Sequence, residues 1–313
     1  MKHSFKMATA FCAVSLLLMA ATLAQTTTYP MVVKHDGGEA KIAQRPQKIV
    51  VLGAISLEVA LALGLQPVGY GSTPPYVPEN AELGKPIESI PAYAKLIKTM
   101  PVLVGSSSNP SLETIKALGA DLIISDARFT ELNTKLDDLA PTLAFNFSSV
   151  GSSQRAMDAL GIATGRSARV AEVKRNLERT VAINKALLQD VVTKGKRMNI
   201  FFVTTDSVFR GGVASDTGRQ MTSLGFEVVG VNKDSNLDKV SLESLPLQRA
   251  NIGLIIMSAI APETRKAQVL GLLKKSSITK LFRYDLRADR LITGPISEPL
   301  LLDEYTKLLR GGS

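Results

Sequence analysis

Short apolar runs alternate with amphipathic stretches along most of this chain. Lys48-Ile49-Val50-Val51-Leu52 reads as a buried strand that stops at Gly53. The segment Ser56-Leu57-Glu58-Val59-Ala60-Leu61-Ala62-Leu63-Gly64 then reads as a helix with a serine cap and a glycine stop. Val68-Gly69-Tyr70, Val102-Leu103-Val104-Gly105, Leu122-Ile123-Ile124-Ser125 and Thr142-Leu143-Ala144-Phe145 repeat the strand signature. So do Asn199-Ile200-Phe201-Phe202-Val203 and Leu254-Ile255-Ile256-Met257. Helical patterns lie near 131–139, 216–224 and 299–309, and Met31-Val32-Val33 before Asp36-Gly37-Gly38 predicts a hairpin. Continuous apolar strands between helices are the pattern of parallel sheets covered on both faces, so the fold class is α/β.

Residues 167–192 contain no Gly or Pro and carry Val170, Val173, Leu177, Val181, Leu188 and Val191 at helical spacing, with Asn184 interrupting the stripe. That spacing predicts one amphipathic helix of about 35–40 Å. On either side of it the chain repeats itself. Ser111-Leu112-Glu113-Thr114-Ile115 precedes Ala120-Asp121-Leu122-Ile123-Ile124, and Ser241-Leu242-Glu243-Ser244-Leu245 precedes Ala250-Asn251 and Leu254-Ile255-Ile256. The repeat suggests two similar lobes, each with an exposed acid on a short helix ahead of a buried strand. The expected boundaries are 1–24 for a leader, 25–166 and 193–313 for two Rossmann-like lobes, and 167–192 for the long helix.

The leader reading rests on Lys2 and Lys6 before an apolar stretch from Met7 to Ala21, closed by Thr22-Leu23-Ala24. This is the layout of a cleaved signal peptide, and the apolar stretch is short for a membrane span. The single cysteine, Cys12, lies inside it without the surroundings of a lipid-attachment site. The expected product is a soluble periplasmic protein, free of disulfides and thiolate metal sites. Cleavage removes two lysines and no acids, so the formal charge of +9 becomes +7. Nucleic acid, an anionic surface, an anionic small ligand and a merely solvated surface are all compatible with that excess. The absence of dense Lys/Arg runs with interleaved aromatics favours the small ligand.

Little in the sequence points to catalysis. His35 is the only histidine after the leader and no G-x-S-x-G elbow occurs, which argues against a secreted α/β hydrolase. Capture of a bare transition metal generally recruits several imidazoles. The positive signal is arginine beyond strand ends, where open α/β sheets bind ligands. Arg128 follows the Leu122 strand, Arg210 follows the Ile200 strand, and Arg283, Arg287 and Arg290 precede the last helix. Guanidinium forks suit carboxylates, although any one of these arginines also reads as a surface residue. Ser72 opens a Pro-rich loop, and Tyr76 and Phe209 read as post-strand loop residues that either pack on a ligand or fill the core.

Lys48-Ile49-Val50-Val51-Leu52, Ser56-Leu57-Glu58, Leu63-Gly64-Leu65-Gln66-Pro67-Val68-Gly69, Pro110-Ser111-Leu112-Glu113 and Ala120-Asp121-Leu122-Ile123-Ile124 together resemble the periplasmic binding proteins for ferric siderophores, haem and cobalamin. The likeness is nearest to the ferric-citrate type and covers nearly the whole chain after the leader. It implies two lobes joined by a single long backbone helix and a shallow cleft between them. It also implies a monomer that needs no cofactor of its own, carries iron only within its chelate, and delivers it to an ABC permease in the inner membrane. Glu113 and Glu243 match the family's permease-docking acids. The expected ligand contacts are Arg128, Arg210, Tyr76, Ser72, Phe209 and Arg290. The chain has no tryptophan, which favours a carboxylate chelate over a flat aromatic ligand; the alternative cargo is haem, with Tyr76 as axial ligand, or cobalamin.

Overall fold

The computed structural model describes residues 27–72, 91–229, 237–258, 261–286 and 294–311. The leader, Tyr76, Arg287 and Arg290 therefore lie outside the described residues. Among the described residues no helix is long and apolar enough to cross a membrane.

The expected hairpin forms from β1 (Met31–His35) and β2 (Gly38–Ile42), paired antiparallel. The first lobe follows as β3 (Ile49–Leu52), α1 (Ala54–Ala62), β4 (Gly69–Ser72), α2 (Pro91–Ala94), β5 (Val102–Ser106), β6 (Asn109–Pro110), α3 (Leu112–Leu118), β7 (Leu122–Asp126), α4 (Thr130–Asp137), β8 (Thr142–Phe145) and α5 (Ser152–Ala163). Its sheet runs β6-β5-β4-β3-β7-β8 and is parallel except where β6 pairs with β5. Every residue of β3, β7 and β8 is buried, as their unbroken apolar sequences require of strands covered on both faces. One layer of core gathers Val51, Leu57, Ile124 and Leu160, and the opposite layer Val50, Ile115, Ile123 and Leu136.

Two helices follow, α6 (Ser167–Leu187) and α7 (Gln189–Lys194). The second lobe comprises β9 (Arg197–Val203), β10 (Val208–Gly211), α8 (Asp216–Ser223), β11 (Glu227–Val228), β12 (Leu237–Val240), a 3-10 turn (Leu242–Leu247), β13 (Arg249–Met257), α9 (Glu263–Leu273), β14 (Ser277–Asp285) and α10 (Ser297–Leu309). Its sheet runs β12-β10-β9-β13-β14, with β11 also pairing to β9. β9, β13 and β14 are parallel, while β10 runs antiparallel to both of its neighbours.

Several expectations change. α1 starts at Ala54 with Gly53 as its N-cap, and Ser56 lies inside the helix, where its hydroxyl donates to Leu52 O. Gly53 has φ of 103°, a conformation open to glycine but costly for other residues, so the backbone rather than a serine makes this turn. The predicted single helix of 167–192 breaks at Leu188, whose side chain is fully buried in the second lobe's core. Helical hydrogen bonds still run across this point, from Leu188 N to Asn184 O and from Val192 N to Leu188 O, both at 3.0 Å, and the chain leaves α7 for β9 at Gly195. Phe209 and Arg210 are strand residues of β10, not loop residues. Arg283 lies on β14 and pairs with Asp285.

α6 takes part in both lobes. Val170 and Val173 pack into the first lobe's core, and Leu177 and Val181 pack against the second's. Asn184, which interrupts the apolar stripe, is buried and donates to Asp303 Oδ1 on α10 at 2.7 Å. A buried amide needs such a partner, and this one ties α6 to α10.

Candidate functional site

A cavity of about 410 Å³ lies between the lobes. The first lobe lines it with the loop that follows β8 and with the first turn of α5. α6 supplies Val173, Lys174 and Leu177. The second lobe supplies Phe202, the start of α8, and one side of α10 with Glu298 and Tyr305. The site sits beyond the carboxyl ends of β8 and β14, with Phe202 of β9 facing it; α/β sheets generally bind ligands at such ends.

Two helices begin at this cavity from opposite lobes. α5 starts after Gly151, in the left-handed region at φ 72°, and has no side-chain cap. Ser148, Ser149, Ser152 and Ser153 surround that start and line the cavity. Across from them α8 starts at Ser215, whose Oγ accepts from Gly218 N at 3.0 Å. The opening N–H groups of a helix lack intrahelical partners, and the helix dipole makes that end positive. Such ends attract anions.

Two cations reinforce them. Lys174 Nζ lies 2.8 Å from Asp158 Oδ1, and Arg219 pairs with Asp216 and donates to Ala214 O at 2.8 Å. Glu298 opposes them. Burial pushes its carboxyl above the ordinary range, and the nearby Asp216 pushes it the same way, while Arg219 acts against both.

The Ser149–Gly151 wall is braced from the hairpin. Asp36, in the turn between β1 and β2, receives a two-pronged hydrogen bond from Arg155 at 2.9 and 2.7 Å, and also accepts from Asn146 N at 2.9 Å. The same guanidinium donates to Val150 O and Ser149 Oγ. That hydrogen bond holds the Asp36 carboxyl below the usual carboxylate range. A second, more open recess borders the first through Ser149 and includes Asp36, Asn146, Arg128 and Arg155.

Arg128 thus lies beside the main cavity and does not line it. Its guanidinium forks onto Asp126, with Nη2 to Oδ2 at 2.7 Å, and its side chain is half exposed. Arg210 lies elsewhere. On β10 it sits opposite Phe201, on the sheet face covered by α9, and donates to Gln248 Oε1 at 3.0 Å. Burial lowers its pKa, and Asp238 on β12 raises it. The structure therefore does not bring Arg128 and Arg210 together around one ligand. Phe209 sits opposite Phe202, on the face that does meet the cavity, but only Phe202 lines it. Ser72 ends β4 and its hydroxyl reaches Gly105 O at 3.4 Å. His35 ends β1, paired with Gly38, and its Nδ1 accepts from Gly37 N.

Lys174, Arg155, Arg219 and the serine-rich start of α5 were missed from the sequence. Gly151-Ser152-Ser153 ahead of a helical pattern was the available signal, because uncapped helix starts gather at the strand ends of such folds.

Glu113 and Glu243 are both exposed. Glu113 is in the first turn of α3, whose cap Ser111 accepts from Thr114 N at 3.1 Å. Glu243 is in the first turn of the 3-10 element, and hydrogen bonds from its own N–H and from Ser241 lower its carboxyl's pKa. Each acid precedes the strand that pairs with its lobe's first long parallel strand: β7 beside β3, and β13 beside β9. Among the described residues no group of three or more His, Cys, Asp or Glu is placed to hold a metal ion.

Two α/β lobes, a shared helix and an inter-lobe cavity define a two-lobed ligand-binding protein. The periplasmic binding protein family matches residues 49–261, and the chain belongs to that family. It is 31% identical over 122 residues to the putative ABC transporter substrate-binding lipoprotein YhfQ of Bacillus subtilis, covering 38% of this chain and 34% of that protein. It is 27% identical over 222 residues to the Fe(3+)-citrate-binding protein YfmC of the same organism, covering 68% and 64%. The matches thus span less than two thirds of either relative's length. Staphylococcus aureus SirA complexed with staphyloferrin B shares the fold, with a TM-score of 0.70 at 20% identity over 90% of this chain and 98% of SirA.

Proposed function

We propose that this protein is the extracytoplasmic substrate-binding component of an ABC importer, and that its cargo is an anionic ferric chelate of the ferric-citrate type. The convergence of two helix N-termini, from α5 and α8, on one inter-lobe cavity carries this reading. Lys174, Arg219 and the serine hydroxyls of α5 supply the charge and hydrogen bonds that carboxylate oxygens accept. The ligands named for YfmC and SirA, ferric citrate and staphyloferrin B, support the choice of an iron-chelating cargo. Iron enters as part of the cargo, so the protein contributes binding and orientation, with no catalytic step and no cofactor of its own. It acts as a monomer, with Glu113 and Glu243 meeting basic groups on the two halves of the permease. Among the described residues, Arg128, beside the cavity, is the sequence-predicted arginine best placed to touch a large chelate.

The relative YhfQ is named a lipoprotein. We take the present chain to be released by cleavage of 1–24 without a lipid anchor. Metabolic labelling with palmitate tests this, and incorporation of label refutes it.

Calorimetric titration of the full mature chain with ferric citrate tests the cargo, with iron-free citrate and haem as controls. Tight binding of ferric citrate alone is expected. Binding of haem alone overturns the carboxylate-chelate reading.

A further inference from the structure

Glu58 is the most deeply buried carboxylate among the described residues, and it belongs to α1 of the first lobe. Its Oε2 accepts from Ile296 N and Ser297 N, both at 3.0 Å, and from Ser297 Oγ at 3.1 Å. Its Oε1 accepts from the hydroxyl of Tyr93. Ile296 and Ser297 open α10, whose Leu301, Leu302, Tyr305 and Leu309 are core residues of the second lobe. A side chain of one lobe therefore caps a helix of the other.

The surroundings are built for that role. No side chain of α10 caps its own N-terminus. The positive end of its dipole thus meets a carboxylate, which compensates a buried charge that no cation among the described residues neutralises. Among the described residues four groups reach the carboxylate and each donates to it; Ser297 Oγ itself accepts from Gly294 N at 2.9 Å, leaving its hydroxyl hydrogen for Glu58. Burial raises the Glu58 pKa, and the hydrogen bonds from Tyr93, Ser297 and Ile296 oppose the rise. The Ile296 side chain packs on the first lobe's core. A Cβ at Gly294 would overlap the Glu58 carboxylate, so only glycine allows this approach.

We propose that Glu58 is a cross-lobe positioning residue: by capping α10 it fastens the lobes at a second point beside α6 and fixes the α10 wall of the cavity. A single helix leaves one flexible connection, whereas two separated attachments restrict both bending and twisting. The proposal rests on the lobe arrangement and is independent of the cargo.

The test measures the distance between spin labels at Lys135→Cys on the first lobe and Lys275→Cys on the second. It uses the full chain in a Cys12→Ser background and no ligand. The unmodified site is expected to give one narrow distance distribution. Glu58→Ala, which leaves two N–H groups at the start of α10 without their acceptor, should broaden or shift it. Gly294→Ala should do the same from the opposite lobe, and serves if Glu58→Ala does not fold. In the Glu58→Ala background the added Gly294→Ala should have little further effect, because the group it displaces is gone. Glu58→Gln, which keeps an acceptor oxygen, should restore the narrow distribution. A melting temperature that falls while the distribution stays unchanged in Glu58→Ala and Gly294→Ala overturns the proposal, since packing within one lobe alone would give that result.

Discussion

Lys174, on the helix that joins the lobes, points its ammonium at Asp158 on α5, 2.8 Å away at the edge of the cavity. Both side chains remain well exposed, so the pair itself contributes at most about 1 kcal/mol to stability. Its larger effect is on ligand charge. Asp158→Asn should release Lys174 toward an anionic ligand and tighten ferric citrate, with almost no change in melting temperature. Lys174→Gln should weaken binding by about 1–2 kcal/mol, roughly 5- to 30-fold. Calorimetry on the two variants measures both shifts.

Glu298 is a negative group at a site assigned to an anion. Its raised pKa means that the folded protein holds its proton more tightly than the unfolded chain does. The associated stability is present below the ordinary glutamate pKa and is lost as pH rises through the folded value. Glu298→Gln should remove that loss and strengthen ferric citrate binding at pH 7. The advantage over the native protein should narrow as pH falls toward the Glu298 pKa. Affinities measured in parallel across pH check the trend.

Asp36 works in the opposite sense. Its pKa is lowered by Arg155, so its contribution is present above the ordinary aspartate pKa of about 3.9 and is lost as pH falls through the folded value. Asp36→Asn should flatten this acid limb of the stability profile. Because Arg155 also holds Val150 and Ser149, the variant should loosen the cavity wall and weaken binding at neutral pH. Melting curves between pH 3 and 7 separate the two effects.

Arg128 and Arg210 should behave differently. Arg128 is half exposed beside the cavity, so Arg128→Ala should cost about 1 kcal/mol in affinity, less than a buried contact would. Arg210 faces α9 and bonds Gln248, so Arg210→Ala should leave affinity unchanged and lower stability by about 1–2 kcal/mol. Titration and chemical denaturation of each variant distinguish these outcomes.

The exposed acids predict a split between capture and delivery. Glu113→Ala combined with Glu243→Ala should leave ferric citrate affinity unchanged and abolish uptake in cells. Uptake at the native rate by the double variant contradicts the docking role.

The parallel strands were legible because strands buried on both faces are written as unbroken apolar runs, as in Ile49–Leu52. The matching acids were legible because Ser-Leu-Glu opens a short helical element ahead of a buried strand in both lobes, although only Ser111 caps its element with its side chain. The break at Leu188 was not, since a core leucine continues the helical stripe with or without a turn. Arg210 misled because β10 runs antiparallel: sequence distance from β9 suggested a loop at the strand end, while pairing carried the residue back along the sheet. Glu58 read as one polar position in an apolar helix. Its partners Ile296 and Ser297 lie more than 230 residues away, and local pattern holds no trace of such a pairing.

The most direct test of the central claim is an amide NMR spectrum of the protein with ferric citrate and with gallium citrate, its diamagnetic counterpart. The paramagnetic iron should erase the signals of Ser152 and Ser153 in the first lobe and of Asp216 and Thr217 in the second, while gallium only shifts them. Broadening confined to one lobe, or centred away from the two helix starts, would contradict a chelate held between them.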